Sequence, residues 1–241
     1  MEWARSEEDT VLPLIFGRGT MFKKILRRFR KALNPKKSQK KRFEHSSTYW
    51  EDRYKVGGNS GAGSYGRLAA FKAEILNDFV ASHHISTVVE LGSGDGAQLA
   101  LAEYPAYIGY DVSETAVEQC NTKFQNDPSK KFYLMPGNSA LQPADLTLSL
   151  DVIYHLVEDD VFSRYMTSLF DTSQRYVIVY SSNRDETWPA AHVRHRHFTK
   201  WVSENRPDFK FVEEIENRYP FDAADQNETS FANFYIYERL A

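Results

Sequence analysis

The chain has a single cysteine, Cys120, in 241 residues. One thiol cannot close an internal disulfide, and such scarcity points to a reducing compartment. Long apolar runs are missing too. None approaches the roughly 20 residues of a membrane-spanning helix, and Val11 to Phe16 is interrupted by Pro13. Acidic residues precede that run and basic ones follow it, the wrong order for a secretory signal. These absences predict a cytoplasmic protein, in which the glycosylation triplet Asn227-Glu-Thr229 is a chance match. No internal repeat occurs, and no His/Cys spacing supports a zinc site. Aromatics are plentiful, with 16 Phe and 14 Tyr, and 41% of the residues are hydrophobic. That suffices for the core of one medium α/β domain with an extension.

The net charge of −3 conceals a strong asymmetry. Residues 21–42 hold 11 Lys or Arg and no acid, whereas residues 43–241 hold 17 basic and 29 acidic residues. Residues 1–20 read as a disordered lead, and Met21 is a plausible natural start. Phe22, Ile25, Leu26, Phe29 and Leu33 then share one helical face, with Lys and Arg on the other. Asn34-Pro35 ends that helix, and a basic linker runs to Arg42. A cationic amphipathic helix suits an anionic membrane surface, which would make the protein peripheral on the inner face. A solvated helix is the plainer alternative. Nucleic acid is disfavoured as a partner, because the acidic domain would oppose it.

Residues 87–111 carry most of the chemistry. Val88 to Leu91 is a short apolar run suited to a buried parallel strand. Gly92, Gly94 and Gly96 follow at once, and a helical pattern is read from Ala97 to Glu103. Glu90 sits at the tip of this first strand. Asp111 ends a second apolar run 21 residues later, placed to accept hydrogen bonds from ribose hydroxyls. A dehydrogenase pattern, Gly-x-Gly-x-x-Ala, is met by letter. However, a carboxylate beside the turn would repel a pyrophosphate. Gly61-Ala-Gly63-Ser-Tyr-Gly66 is a second literal glycine motif, but no apolar strand precedes it, so it reads as a loop before a helix.

The stretch Glu90 to Gly96 resembles the acid-x-Gly-x-Gly-x-Gly site of class I S-adenosylmethionine (SAM)-dependent methyltransferases. The resemblance implies an α/β fold: a Rossmann-like, seven-stranded, mostly parallel sheet with its last strand antiparallel and helices on both faces. It implies SAM as cofactor and S-adenosylhomocysteine (SAH) as product. It places Glu90, Gly92, Ser93, Gly94, Asp95, Asp111, Val112, Leu150 and Asp151 around the cofactor, and Asn138 and Ser139 against the adenine. Residues 45–82 resemble the N-terminal cap of that family, so that Tyr49, Arg53, Ser64 and Tyr65 could touch cofactor or substrate. A binding module without catalysis is the reading from a different class.

The remaining segments alternate as that fold requires. Strands are expected at 106–111, 131–135, 146–150, 176–182, 209–216 and 231–238. Helices are expected at 114–125, capped by Ser113, and at 159–170 and 199–205. The stripe Leu68, Phe71, Ile75, Leu76 and Phe79 predicts a helix before the first strand. Ligands of open α/β sheets lie at the carboxyl ends of the strands. The loop Asp151-Val-Ile-Tyr154-His155 therefore borders the acceptor. Asp151 and His155 are the catalytic candidates, His155 as base or as an orienting group. His192, Arg194 and His195 could bind an anionic acceptor or form a solvated loop. Tyr65, Tyr154 and Tyr219 complete the substrate candidates. Asp151, Asn183 and Asp185 could be weighed as Mg²⁺ ligands, but no metal is expected. The polar, aromatic loops suit a small-molecule or glycan hydroxyl or amine, with protein or nucleic acid as the alternative acceptor.

Overall fold

The computed structural model describes residues 43–137 and 140–241. The lead, the segment 21–42 where a basic helix and linker are expected, Asn138 and Ser139 lie outside the described residues.

Helix α1 spans Ser46–Lys55 and α2 spans Gly66–Ser82. Strand β1 is Val88–Leu91, β2 is Tyr107–Asp111, α3 is Glu114–Lys123 and β3 is Lys130–Leu134. Then come β4 at Ala144–Leu150, α4 at Asp159–Thr172, β5 at Ser173–Ser181, α5 at Phe198–Asn205, β6 at Phe209–Ile215 and β7 at Asn233–Arg239. The strands form one seven-stranded sheet in the order β3-β2-β1-β4-β5-β7-β6. Strands β1 to β5 pair in parallel, and β7 runs antiparallel to both β5 and β6. The last strand thus inserts beside β5 and pushes β6 to the edge.

The alternation of side chains along each strand builds a core on each face of the sheet. Val88, Leu146, Leu148, Ile178 and Phe234 pack with Phe71 and Leu76 of α2 and Cys120 of α3. Val89, Val177, Val179 and Tyr235 pack with Phe162 and Met166 of α4 and Val202 of α5. Burying a Leu, Val or Phe side chain contributes about 1.5–3 kcal/mol, so these two layers fix the strand ends that carry the polar groups. Helix α3 starts as its sequence suggests, with Ser113 Oγ accepting from Ala116 N at 3.1 Å.

One expected helix is missing. Residues 97–103 form only a single 3₁₀ turn, Leu99–Leu101, and Ala102 is extended. Asn77 of α2 explains the stop: its side chain donates to Leu101 O and accepts from Glu103 N. A continuing helix would need Glu103 N for Leu99 O, and Pro105 has no N–H to donate to Leu101 O. A segment this short cannot offset the cost of helix nucleation. Among the described residues, no helix is long and apolar enough to cross a membrane.

Candidate active site

The carboxyl ends of β1, β2 and β4 open into one cavity. Glycines 92, 94 and 96 turn the chain off β1 with φ of 89°, 57° and 67°. Gly94 is needed for space as well. A Cβ there would lie 2.4 Å from Ser60 Oγ and 3.0 Å from Tyr54 OH. The segment 54–65 therefore closes directly over the turn. Ser60 N and Tyr65 OH donate to Asp95 Oδ2 at 3.0 and 2.7 Å, and Asp95 N donates to Ser60 Oγ. Burial alone would raise the Asp95 pKa, but these bonds outweigh it and hold the carboxyl below its ordinary value.

Glu90 and Asp111 are both buried at the cavity. Tyr107 OH donates to Glu90 Oε2 at 2.6 Å, yet burial pushes the Glu90 carboxyl up to about 7. Asp111 accepts from Gly94 N and Ser113 N, each at 2.9 Å, and burial likewise raises its pKa. From α1, Glu51 accepts from Ser113 Oγ at 2.5 Å and Thr115 Oγ1 at 2.9 Å. Burial opposes its ionisation, but these bonds and Lys55 hold it down to about 2. Helix α1 is thereby pinned to the start of α3.

The loop after β4 carries the candidate acceptor groups. Asp151 has φ +60°, a left-handed conformation that costs a non-glycine residue strain, least for Asp and Asn. Its Oδ2 accepts from Lys72 Nζ at 2.6 Å and its Oδ1 from Tyr154 OH at 2.9 Å. A Cβ on Gly63 would sit 2.7 Å from Oδ2, so the second glycine motif lies directly against this acid. His155 Nδ1 is 3.0 Å from His192 O. A carbonyl only accepts, so Nδ1 carries the proton and Nε2 the lone pair. Burial holds the His155 pKa down to about 4, against the hydrogen bond to His192, so the ring is neutral at pH 7. Trp50 stands edge-on to it at 4.8 Å, and His192 stacks between His155 and Tyr49.

The predicted residues separate into two groups. Glu90, Gly92, Ser93, Gly94, Asp111, Val112, Leu150, Asp151 and His155 line the cavity. Asp95, Tyr65, Tyr49, Tyr154 and His192 stand behind that lining through the contacts above. Arg53 lies outside it, donating to Asn59 O at 2.6 Å and stacking on Trp50. The cationic cluster does not gather at the cavity. Arg194 and Arg196 donate to Val157 O and pair with Asp159 at the start of α4. His195 is buried against Ser182, Trp188 and Phe231. Tyr219 stacks under Arg67, 4.5 Å away. Asn183 and Asp185 accept from Thr199 and from His197 N, apart from Asp151. Among the described residues no three His, Cys, Asp or Glu side chains gather as a metal site.

Sequence reading missed several cavity residues: Lys72, Gln98, Trp50, Tyr54, Met135 and Tyr165. Lys72 left a signal, because it sits four residues from both Leu68 and Leu76 on the apolar stripe of α2. Two polar atoms at the cavity, Ser93 Oγ and Gln98 Oε1, are buried without a partner.

This strand order, with a cavity at the β1, β2 and β4 tips, decides the fold. It is the fold of the class I SAM-dependent methyltransferases. Solved structures agree with it. The chain is similar to magnesium protoporphyrin IX methyltransferase from Synechocystis PCC 6803 with bound SAH, at TM-score 0.59 and 15% identity over 80% of this chain and 98% of that one. It is similar to the N-methyltransferase NodS from Bradyrhizobium japonicum WM9 with SAH, at TM-score 0.60 and 13% identity over 82% and 100%. The methyltransferase domain of bacterial CtHen1 matches at TM-score 0.53 and 17% identity over 70% and 97%. No family model and no curated protein sequence matches the chain.

Proposed function

We propose that the chain is a SAM-dependent methyltransferase acting on a hydroxyl or amine of a small molecule or glycan. The observation that supports it most is the cavity at the glycine turn. It sets Glu90 and Asp111 at adjacent strand tips and leaves Ser93 Oγ and Gln98 Oε1 buried without partners. Buried polar atoms are ordinarily hydrogen-bonded, so these two suit a polar ligand that completes them. When bound, SAM supplies an electrophilic methyl group on a sulfonium. Asp111 keeps lone pairs for two vicinal hydroxyls. Met135, Leu156 and Val161 offer the purine an apolar wall. Trp50 and Tyr54, held by α1, exclude water.

His155 presents its Nε2 lone pair to the acceptor. A base with a pKa about three units below neutrality is a poor proton abstractor, so His155 orients the acceptor X–H and takes up its proton only as transfer completes. Asp151, with both oxygens engaged, stabilises charge rather than abstracting a proton. Residues 21–42 add a reversible tether to anionic membranes, at about 1 kcal/mol per effective basic residue before screening. Such a tether suits an acceptor made at the cytoplasmic face.

Calorimetry tests the cofactor: SAM and SAH bind, and NADH does not. Tight NADH binding without SAM binding refutes the reading. A screen following SAH release identifies the acceptor. Sedimentation with acidic liposomes, with and without residues 1–42, tests the tether; equal recovery in the supernatant at low salt refutes it.

A further inference from the structure

His155 is held from two sides. On one stands the segment 192–196. His192 O accepts from Nδ1 of the His155 ring, Arg194 N donates to Tyr154 O at 2.8 Å, and Arg196 donates to Leu156 O. On the other stands α1, 109 residues away in sequence. Ser46, its first residue, is 4% exposed. Ser46 Oγ lies 2.7 Å from His155 O and 2.6 Å from Glu158 Oε2, and it accepts from Val157 N at 3.2 Å. A hydroxyl has one proton, so the carbonyl and the carboxylate share it. Among the described residues, Ser46 Oγ is the one hydrogen-bond donor to His155 O.

Glu158 secures this arrangement. His45, in the N-cap position of α1, makes no side-chain capping bond. Glu158 supplies one from the far loop, its Oε1 accepting from Ser46 N at 3.0 Å. Burial opposes ionisation of Glu158, but its bonds to Ser46 hold the pKa below the ordinary value. A cap for α1 would need only the bond to Ser46 N; the hydroxyl bonds reach past it to the His155 peptide. Residues i, i+3 and i+4 share one face of a helix, here Ser46, Tyr49 and Trp50. Tyr49 stacks on His192 at 4.3 Å, and Trp50 stands edge-on to His155. That one face therefore bears on the His155 backbone, on its ring, and on the residue whose carbonyl sets its tautomer.

We propose that Glu158 is a positioning residue: acting through Ser46, it seats this face of α1 and sets the orientation in which His155 presents Nε2 to the acceptor. The proposal rests on the methyl-transfer reading above, in which His155 orients the acceptor. Glu158 acts at a distance from the chemistry, with both oxygens engaged by Ser46.

NMR of the full chain, isotope-labelled at its histidine nitrogens, tests this without an acceptor. The His155 signals are assigned by their absence in His155→Gln. At neutral pH the wild type shows one His155 tautomer, protonated on Nδ1. Ser46→Ala removes the hydroxyl and keeps the bond from N to Glu158, whereas Glu158→Ala removes both carboxylate bonds. Each should release the ring and raise the population of the Nε2-protonated tautomer about fivefold, the effect of one neutral hydrogen bond. Glu158→Gln should restore the wild-type spectrum. Its carbonyl accepts from Ser46 N and its amide donates to Ser46 Oγ, which leaves the hydroxyl proton for His155 O. His195, buried against Ser182, should keep its signals in every variant, which marks an intact fold. If Glu158→Ala does not fold, Ser46→Ala and Glu158→Gln carry the comparison. A His155 spectrum unchanged by Ser46→Ala overturns the proposal. So does a wild type with both tautomers equally populated, or a Glu158→Gln spectrum that matches Ser46→Ala. A wild type that binds no SAM in calorimetry defeats the methyl-transfer reading instead, and the tautomer result does not depend on it.

Discussion

Gly94→Ala tests the closure of residues 54–65 over the glycine turn. The new methyl group would stand 2.4 Å from Ser60 Oγ and 3.0 Å from Tyr54 OH, on a backbone at φ +57°. Alanine in the left-handed region costs roughly 1–2 kcal/mol. Moving Ser60 away also breaks its two hydrogen bonds with Asp95, each 3.0 Å long. Those contribute about 1 kcal/mol apiece, so the total loss is about 3–4 kcal/mol. For a domain of this size that lowers Tm by roughly 6–16 °C, at 2–4 °C per kcal/mol. The assay is thermal and urea unfolding of four proteins: wild type, Gly94→Ala, Ser60→Gly and the double variant. Ser60→Gly vacates the space the methyl group needs and already lacks the side-chain bond. The double variant should therefore be more stable than the sum of the single losses predicts, by about 1 kcal/mol or more. Strict additivity, or a Gly94→Ala loss below about 1 kcal/mol, would refute the closed arrangement.

Asp111→Ala should weaken SAM and SAH by about 1.5–3 kcal/mol, measured by calorimetry, with Asp111→Asn intermediate because one acceptor oxygen survives. Unchanged affinity would remove Asp111 from the cofactor site. His155→Ala should leave SAH affinity intact and slow single-turnover transfer by about tenfold if it orients the acceptor, or 10²–10⁴-fold if it is the base; an unchanged rate discards both roles. Glu90→Gln should be stabilising, and increasingly so with rising pH. The Glu90 pKa is raised from 4.5 to about 7 in the fold. The folded state therefore holds that proton more tightly, and the contribution present below pH 4.5 is lost as pH rises through 7. The difference between variant and wild type should grow by up to about 3 kcal/mol between pH 4.5 and pH 7.5 in urea unfolding. A difference independent of pH would contradict it.

The parts legible in sequence are those governed by local pattern. Val88 to Leu91 and residues 146–150 read as buried strands because both faces of a parallel strand are covered. Ser113 announced its helix, and the strand-tip positions of Glu90 and Asp111 followed from the apolar runs that they end. What escaped depends on partners far along the chain. The helix expected at 97–103 is cut short by Asn77, some 24 residues upstream of the carbonyl it captures. Arg194 looked available for an anion, yet Asp159 and the carbonyl of Val157 occupy it. Lys72 interrupts a legible apolar stripe, but its meaning lies with Asp151, 79 residues away. Spacing marks such a residue as odd without naming its partner.

The truncated helix also bears on the choice of ligand. A dinucleotide pyrophosphate gains from a helix N-terminus behind the glycine turn, and a lone 3₁₀ turn stands there instead. Glu90, Asp111 and Asp151 line the same cavity, with Lys72 as the one ammonium among its described lining residues. Unit charges about 4 Å apart interact by roughly 4 kcal/mol at an effective dielectric of 20. Phosphates would meet that as repulsion, a sulfonium as attraction. The attraction vanishes once the methyl group leaves, because SAH carries no net charge. Glu90 should report this. With a pKa of about 7, it is roughly half protonated at neutral pH. A cation entering beside it lowers that pKa, so SAM binding should release up to about half a proton at pH 7, and SAH binding far less. Calorimetric titration in two buffers of different ionisation enthalpy measures the release. Equal proton release for SAM and SAH, or none for either, would show that Glu90 does not sense the sulfonium, and Glu90→Gln should abolish whatever difference is found.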